Sequence, residues 1–137
     1  MNLQVGVKVL IEKGGRYLFL IRSQAFKAGP QKWDIPGGRI EVDEPLDQAL
    51  AREVSEETGL VLSSSLELLA AQDIFASDKD LHVVRLTYLT RLDHSEGDVQ
   101  ISDEHDDYKW MSKADILAEE HVDNYLRDVV EILPESA

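Results

Sequence analysis

Apolar and polar positions along the chain change period several times, and each change predicts an element. From Leu3 to Ile11 the apolar residues Val5, Val7, Val9 and Ile11 recur with Gly6 and Lys8 between them, the two-residue period of a strand. Lys13-Gly14-Gly15-Arg16 predicts a turn. Tyr17 to Ile21 is a near-continuous apolar run, expected of a strand covered on both faces, so the front of the chain reads as a hairpin. Arg22 to Lys32 is polar, carries Phe26, Lys27 and Lys32, and predicts a mobile surface loop. Two long strands are expected over Leu66–Ala76 and Leu81–Leu92, around a turn at Ser77-Asp78-Lys79-Asp80. Asp93 to Asp98 reads as an acidic turn, and Tyr108 to Met111 as a short edge strand. Ser112-Lys113-Ala114-Asp115 has the form of a capping box opening a helix. Val122, Tyr125, Leu126, Val129, Val130 and Leu133 then step at helical spacing, which predicts an amphipathic helix docked on the body.

The middle of the chain departs from this regularity. Trp33-Asp34-Ile35-Pro36-Gly37-Gly38 ends in two glycines after a proline, which permits a close backbone approach and lets a main-chain carbonyl face a ligand. A helix follows from about Pro45, a residue suited to a first turn. With Glu53 set at zero and about 100° per residue, Glu57 lies near +40° and Glu56 near −60°, so three carboxylates share a face. Leu46, Ala49 and Leu50 point the same way, so the face that packs inward becomes acidic in its last turn. Clustered inward carboxylates repel and resist desolvation. A hard divalent cation such as Mg²⁺, Mn²⁺ or Ca²⁺ would remove the conflict; a solvated acidic patch at a helix end is the plainer alternative.

Net charge is −13, from 14 basic and 27 acidic residues, which argues against a nucleic-acid polymer or an anionic membrane as the main partner. An acidic protein that handles phosphates needs cations to mediate the contact. There is no cysteine, so thiolate chemistry is excluded. The N-terminal residues carry no signal-peptide pattern and no apolar run reaches membrane-spanning length, so a cytoplasmic protein is expected. A chain of 137 residues reads as a single domain.

The stretch Gly38 to Leu60 resembles the signature of the Nudix hydrolases. Gly38, Glu44, Arg52, Glu53, Val54, Glu56, Glu57, Gly59 and Leu60 fill its fixed positions. The resemblance implies an α/β/α sandwich, with a mixed β-sheet between helices over residues 1–137. It implies hydrolysis of a nucleoside diphosphate linked to another group, with Mg²⁺ as cofactor and Mn²⁺ as substitute. On this reading Gly38, through its carbonyl, and Glu53, Glu56 and Glu57 are metal ligands. Arg52 orients a glutamate and Glu44 supports from behind. Asp43 stands where the family often has glycine, and Pro45 where it often has a capping Ser or Thr, so the first turn is expected to be shifted or capped by Asp43. Gly59 is expected to be the left-handed residue closing the helix, with Leu60 folding back.

The general base varies in the family between the box helix and a later loop. On that loop Glu104 is the candidate for a metal or base role, and the neighbouring His105 reads as structural or exposed. Arg22, Lys27, Lys32 and Arg39 flank the box and could meet an anionic substrate, while Trp33 reads as packing or as a wall for a base. No proline lies between Pro45 and Pro134, and the first tyrosine after the box is Tyr88, which removes the usual marks of ADP-ribose and dinucleoside polyphosphate hydrolases. What remains is a nucleoside triphosphate pyrophosphatase of the MutT type. The alternatives are an ADP-ribose, nucleotide-sugar or dinucleoside polyphosphate hydrolase, or a non-catalytic nucleotide-sensing module. The expected partner is a small-molecule nucleotide, and homodimers, common in the family, are a second.

Overall fold

The computed structural model describes residues 1–23, 31–62, 65–92 and 98–135. Lys27 and Phe26, the Ser63-Ser64 pair and residues 93–97 of the acidic turn lie outside the described residues.

The opening hairpin forms as expected. Strand β1 (Asn2–Lys13) turns through Gly14 and Gly15, with φ of 60° and 80°, into β2 (Arg16–Arg22). Consecutive positive φ is the geometry of a two-residue hairpin turn, which glycine adopts without steric cost. The strands pair at Glu12↔Tyr17 and Lys13↔Arg16 and then part company. In the opening between them run β3 (Trp33–Asp34), paired to β2, and β4 (Gly37–Arg39), paired to β1. This splay makes room for a cavity.

Helix α1 (Leu46–Thr58) follows, then β5 (Glu67–Ala76), a 3₁₀ turn at Ser77–Lys79, and β6 (Leu81–Arg91). β7 (His105–Met111), α2 (Lys113–Ala118) and α3 (Asn124–Glu131) complete the chain. The strands form one mixed sheet in the order β3-β2-β1-β6-β5, with β4 also on β1 and β7 also on β2. β1 and β6 run parallel from Asn2↔Leu81 to Glu12↔Arg91, and the other pairs are antiparallel.

The two faces of β1 feed two cores. Val7, Val9 and Ile11 pack with Leu50 and Val54 of α1, while Leu10 packs with Phe19, Ile116, Leu126, Val129 and Val130 beneath α2 and α3. Helices therefore cover both faces of a mixed sheet, the expected α/β sandwich.

Several local expectations need correction. Asp43 takes the left-handed φ of 65° but does not cap α1; Pro45 occupies the N-cap position with no side-chain bond. Leu46 is 37% exposed rather than packed inward, because the helix meets the sheet through Ala49, Leu50, Val54 and Thr58. α3 is shorter than the apolar spacing predicts: Asp123 caps it, Val122 and Leu133 are buried beyond its ends, and Tyr125 is 38% exposed. β7 begins at His105, because β2 offers it partners from Tyr17 to Arg22. The capping box at Ser112 and Asp115 forms, and Gly59 closes α1 at φ 73° with Leu60 buried behind it.

Candidate active site

The last turns of α1 lie against the two glycines of β4, and each glycine serves a different carboxylate. The Gly37 N–H donates to Glu57 Oε2 at 2.9 Å. Gly37 has φ 145°, and a Cβ on it would overlap the Val7 carbonyl oxygen, so the strand crossing itself demands glycine. At Gly38 the crowding comes from a side chain: a Cβ there would lie 2.6 Å from Glu53 Cδ. Absence of a side chain at position 38 is what lets the Glu53 carboxylate rest on the backbone. Glu56, on the outer side of the turn, is 60% exposed.

Arg52 binds this cluster together. Its Nε and Nη2 donate to Glu44 at 2.7 and 3.0 Å, and its Nη1 donates to Glu53 at 3.0 Å and to Glu56 at 3.5 Å. Glu44 lies just ahead of the helix and also accepts the Glu41 N–H. The Arg52 hydrogen bonds hold the Glu44 carboxyl below its ordinary range. Burial pushes Glu53 up against the opposing pull of Arg52. Burial also pushes Glu57 up, to about 7, although the Gly37 N–H and Lys8 oppose it.

Glu57 and Gly37 form one end of a cavity of about 250 Å³ that occupies the splay between β1 and β2. Arg22, Gln31, Lys32, Trp33, Asp34, Arg85, His105 and Asp123 carry the lining towards α3. Two ion pairs stiffen the walls. Lys8 Nζ donates to Asp34 Oδ2 at 2.9 Å, and Arg85 reaches Asp123 at 3.3 Å. Burial alone would raise the Asp34 carboxyl, but the Lys8 ammonium, with Arg85 and the Ile35 N–H, outweighs it and the net shift is downwards. Burial and then Arg22 lower the His105 imidazole. Trp33 packs under the Lys109 ammonium, 4.2 Å from the ring centroid, and its backbone N–H donates to the His121 carbonyl oxygen. Arg127 fastens the α2–α3 connection from below by donating to the Leu117, Glu119 and Val122 carbonyl oxygens, which fixes the approach to Asp123.

The structure thus gathers Gly38, Glu44, Arg52, Glu53 and Glu57 at one end, and Arg22, Lys32 and Trp33 along the cavity. Arg39 is exposed at the end of β4, outside the lining of this cavity, and Lys27 is outside the described residues. Glu104 is exposed on the turn before β7, where its carbonyl oxygen accepts the Ser23 N–H, and it is not among the lining residues. His105, expected to be structural or exposed, is half-buried on the cavity wall. Lys8, Asp34, Arg85 and Asp123 escaped the sequence reading. A signal existed for two of them: Lys8 lies between Val7 and Val9, and Arg85 between Val84 and Leu86, cations with apolar neighbours in mid-strand, a local inconsistency of the kind that marks functional positions.

The carboxylate oxygens offer the hard donors that Mg²⁺ or Mn²⁺ prefers, and a cation beside Glu57 would reverse the upward push of burial. Among the described residues no group of three His, Cys, Asp or Glu side chains converges tightly enough to hold an ion as the side chains stand. Enclosing one calls for a rotamer change, which the exposed Glu56 is free to make.

Comparison with known proteins agrees with this arrangement. The family model for the NUDIX domain matches residues 2–131. Nucleoside triphosphatase NudI of Escherichia coli O81 (strain ED1a) is 27% identical over 114 residues, covering 79% of this chain and 81% of that protein. The m7GpppN-mRNA hydrolase NUDT17 of Danio rerio is 44% identical over 63 residues, 45% of this chain but only 21% of its own length. Among solved structures, the MutT protein of Methanosarcina mazei Go1 superposes with a TM-score of 0.82 at 31% identity, covering 94% of this chain and 91% of that one. A MutT NUDIX hydrolase of Burkholderia pseudomallei gives 0.82 at 26% identity over 98% and 100%.

Proposed function

Because this chain belongs to the Nudix hydrolase family, we propose that it cleaves a nucleoside diphosphate linked to another group in the presence of Mg²⁺, most favourably as a nucleoside triphosphate pyrophosphatase of the MutT type. The observation that carries this reading is the joining of two opposite environments. The acidic end of α1 opens into a cavity whose walls carry Arg22 and Lys32 together with Lys8 and Arg85, the last two each paired to an aspartate. The likeness to NudI supports the choice of a nucleoside triphosphate.

Glu53, Glu56, Glu57 and the Gly38 carbonyl would hold the ion, joined from the turn before β7 by Glu104. When bound, Mg²⁺ supplies positive charge to the bridging and leaving oxygens of the diphosphate. The remaining work falls to the chain. Arg52 and Glu44 hold Glu53 in place. Lys8, Arg22 and Arg85 offset the substrate's anionic charge and fix its direction along the cavity. Trp33 gives the nucleoside an apolar wall. A carboxylate, on α1 or at Glu104, accepts the proton of the attacking water.

The test is turnover on nucleoside triphosphates, oxidised dGTP, ADP-ribose, dinucleoside polyphosphates and nucleotide sugars, with Mg²⁺, with EDTA, and in Glu56→Gln. Metal-dependent release of pyrophosphate and a nucleoside monophosphate, lost in Glu56→Gln, is the expected result. Metal-dependent turnover of a different class would replace the substrate and keep the mechanism. Nucleotide binding with no hydrolysis of any member would overturn the enzymatic reading in favour of a sensing module. Glu104→Gln tests the turn: a large fall in kcat assigns a metal-holding or base role to Glu104, and an unchanged kcat leaves the base on α1.

A further inference from the structure

The middle of β1 carries a glycine that neither backbone nor packing requires. Gly6 is not among the residues with positive φ. A Cβ built on it would meet nothing nearer than the Gly38 carbonyl oxygen at 3.8 Å and Val83 Cγ1 at 3.9 Å. Glycine weakens a strand interior, and where it persists it often marks the close approach of a ligand.

The sheet register shows what surrounds the missing side chain. Gly6 is paired with Arg39 of β4 on one side and with Arg85 of β6 on the other. Directly paired residues send their side chains to the same face, and Lys8, two residues along, shares it. Neighbouring strands lie about 4.8 Å apart, so the two arginines spring from positions about 10 Å apart with an empty floor between them. Gln4 and Val83 help close a groove of about 180 Å³, which shares Lys8 and Arg85 with the main cavity. Arg85 is partly neutralised by Asp123 at 3.3 Å. The Arg39 guanidinium has no hydrogen-bond or ion-pair partner among the described residues, while its carbonyl oxygen accepts from Arg52.

We infer that the groove over Gly6, between Arg39 and Arg85, is a second anion subsite that takes a phosphate group. This rests on the proposed function and deepens it: the group beyond the nucleoside diphosphate carries phosphate, as in a nucleoside triphosphate, rather than being an uncharged sugar. The same chemistry could come from released pyrophosphate, and the test separates the two.

Calorimetry in EDTA would measure pyrophosphate and non-hydrolysable nucleoside triphosphate and diphosphate analogues against the wild type, Gly6→Ala and Gly6→Val. The wild type should bind the triphosphate about tenfold more tightly than the diphosphate, the scale of one charge-assisted contact. Gly6→Val, whose methyl groups enter the groove, should abolish that difference while keeping a thermal midpoint at or above wild type. Gly6→Ala should fall between. Weakening of pyrophosphate alone would keep the subsite and assign it to the released product. Equal triphosphate and diphosphate binding by the wild type, together with pyrophosphate binding that Gly6→Val leaves unchanged, would overturn the inference. A lowered midpoint in Gly6→Ala would also overturn it, by showing that the fold itself needs the glycine. Binding is read without turnover, so failure to hydrolyse any substrate would sink the proposed function and leave this result standing.

Discussion

Gly37 and Gly38 are adjacent, yet alanine should harm the protein in different ways at the two positions. At Gly37 the new Cβ meets backbone, overlapping the Val7 carbonyl oxygen and lying 2.7 Å from Lys8 Cα, at a φ of 145°. Conformational strain there costs about 1–3 kcal/mol. Overpacking against atoms that move only if β4 leaves β1 adds about as much again. For a domain of this size that lowers Tm by about 10 °C or more. At Gly38 the Cβ meets the end of a flexible side chain, with Glu53 Cδ 2.6 Å away and its oxygens at 2.7 and 2.8 Å. The carboxylate can retreat by about 1 Å at a rotamer cost of about 1 kcal/mol, so Tm should fall by only a few degrees. The retreat breaks the 3.0 Å contact with Arg52, however, and takes the carboxylate out of position. Displacement on that scale costs about 100-fold in kcat/KM. Thermal denaturation and pyrophosphate release on both variants check this. If Gly38→Ala loses as much Tm as Gly37→Ala, or keeps full activity with Tm unchanged, the assignment of Glu53 to a backbone seat made by Gly38 is wrong.

Arg52→Lys keeps the charge but cannot span Glu44 and Glu53 at once, so kcat/KM should fall about 10–100-fold with little change in Tm; an unchanged rate would refute its orienting role. Glu57 has a folded-state pKa of about 7 against an ordinary value of 4.5, so the folded state holds the proton more tightly. In EDTA the stability advantage of wild type over Glu57→Gln should therefore shrink as pH rises from about 4.5 to about 7, and added Mg²⁺ should restore it. A flat difference across that window, read by denaturant titration, would contradict the burial assigned to Glu57. Lys8→Met strands the Asp34 carboxylate and should cost about 1–2 kcal/mol, a figure discounted because the Asp34 side chain is 40% exposed. Asp34→Asn in the same background should recover part of this in chemical denaturation, and additive losses would show that the two groups do not interact.

Local features were the legible ones. Gly59, the Ser112 capping box and the Gly14-Gly15 turn each depend on a few adjacent residues, and each forms where the sequence places it. The acidic end of α1 was legible in part: helical phase turns Glu53 and Glu57 towards the glycines of β4, whereas Glu56, expected on the same inward face, is 60% exposed. Leu46 and Tyr125 follow the helical pattern and are nonetheless partly exposed, because the covering surface ends before it reaches them. The far end of the cavity was illegible: Lys8, Asp34, Arg85 and Asp123 come from β1, β3, β6 and the cap of α3, and no spacing links them.

The sequence by itself determined the family, the alternating strands and the acidic helix, all of which are encoded within short windows by period and local chemistry. Only the tertiary structure decided which residues face one another. Parallel pairing of β1 with β6 brings Arg85 beside Gly6, and antiparallel pairing of β4 with β1 brings Arg39 to its other side. The splay of β1 from β2 opens the cavity that joins Glu57 to Asp123. Register is a property of strands distant in the chain, set by which packed arrangement buries both cores at once, and for that reason no local stretch of residues contains it.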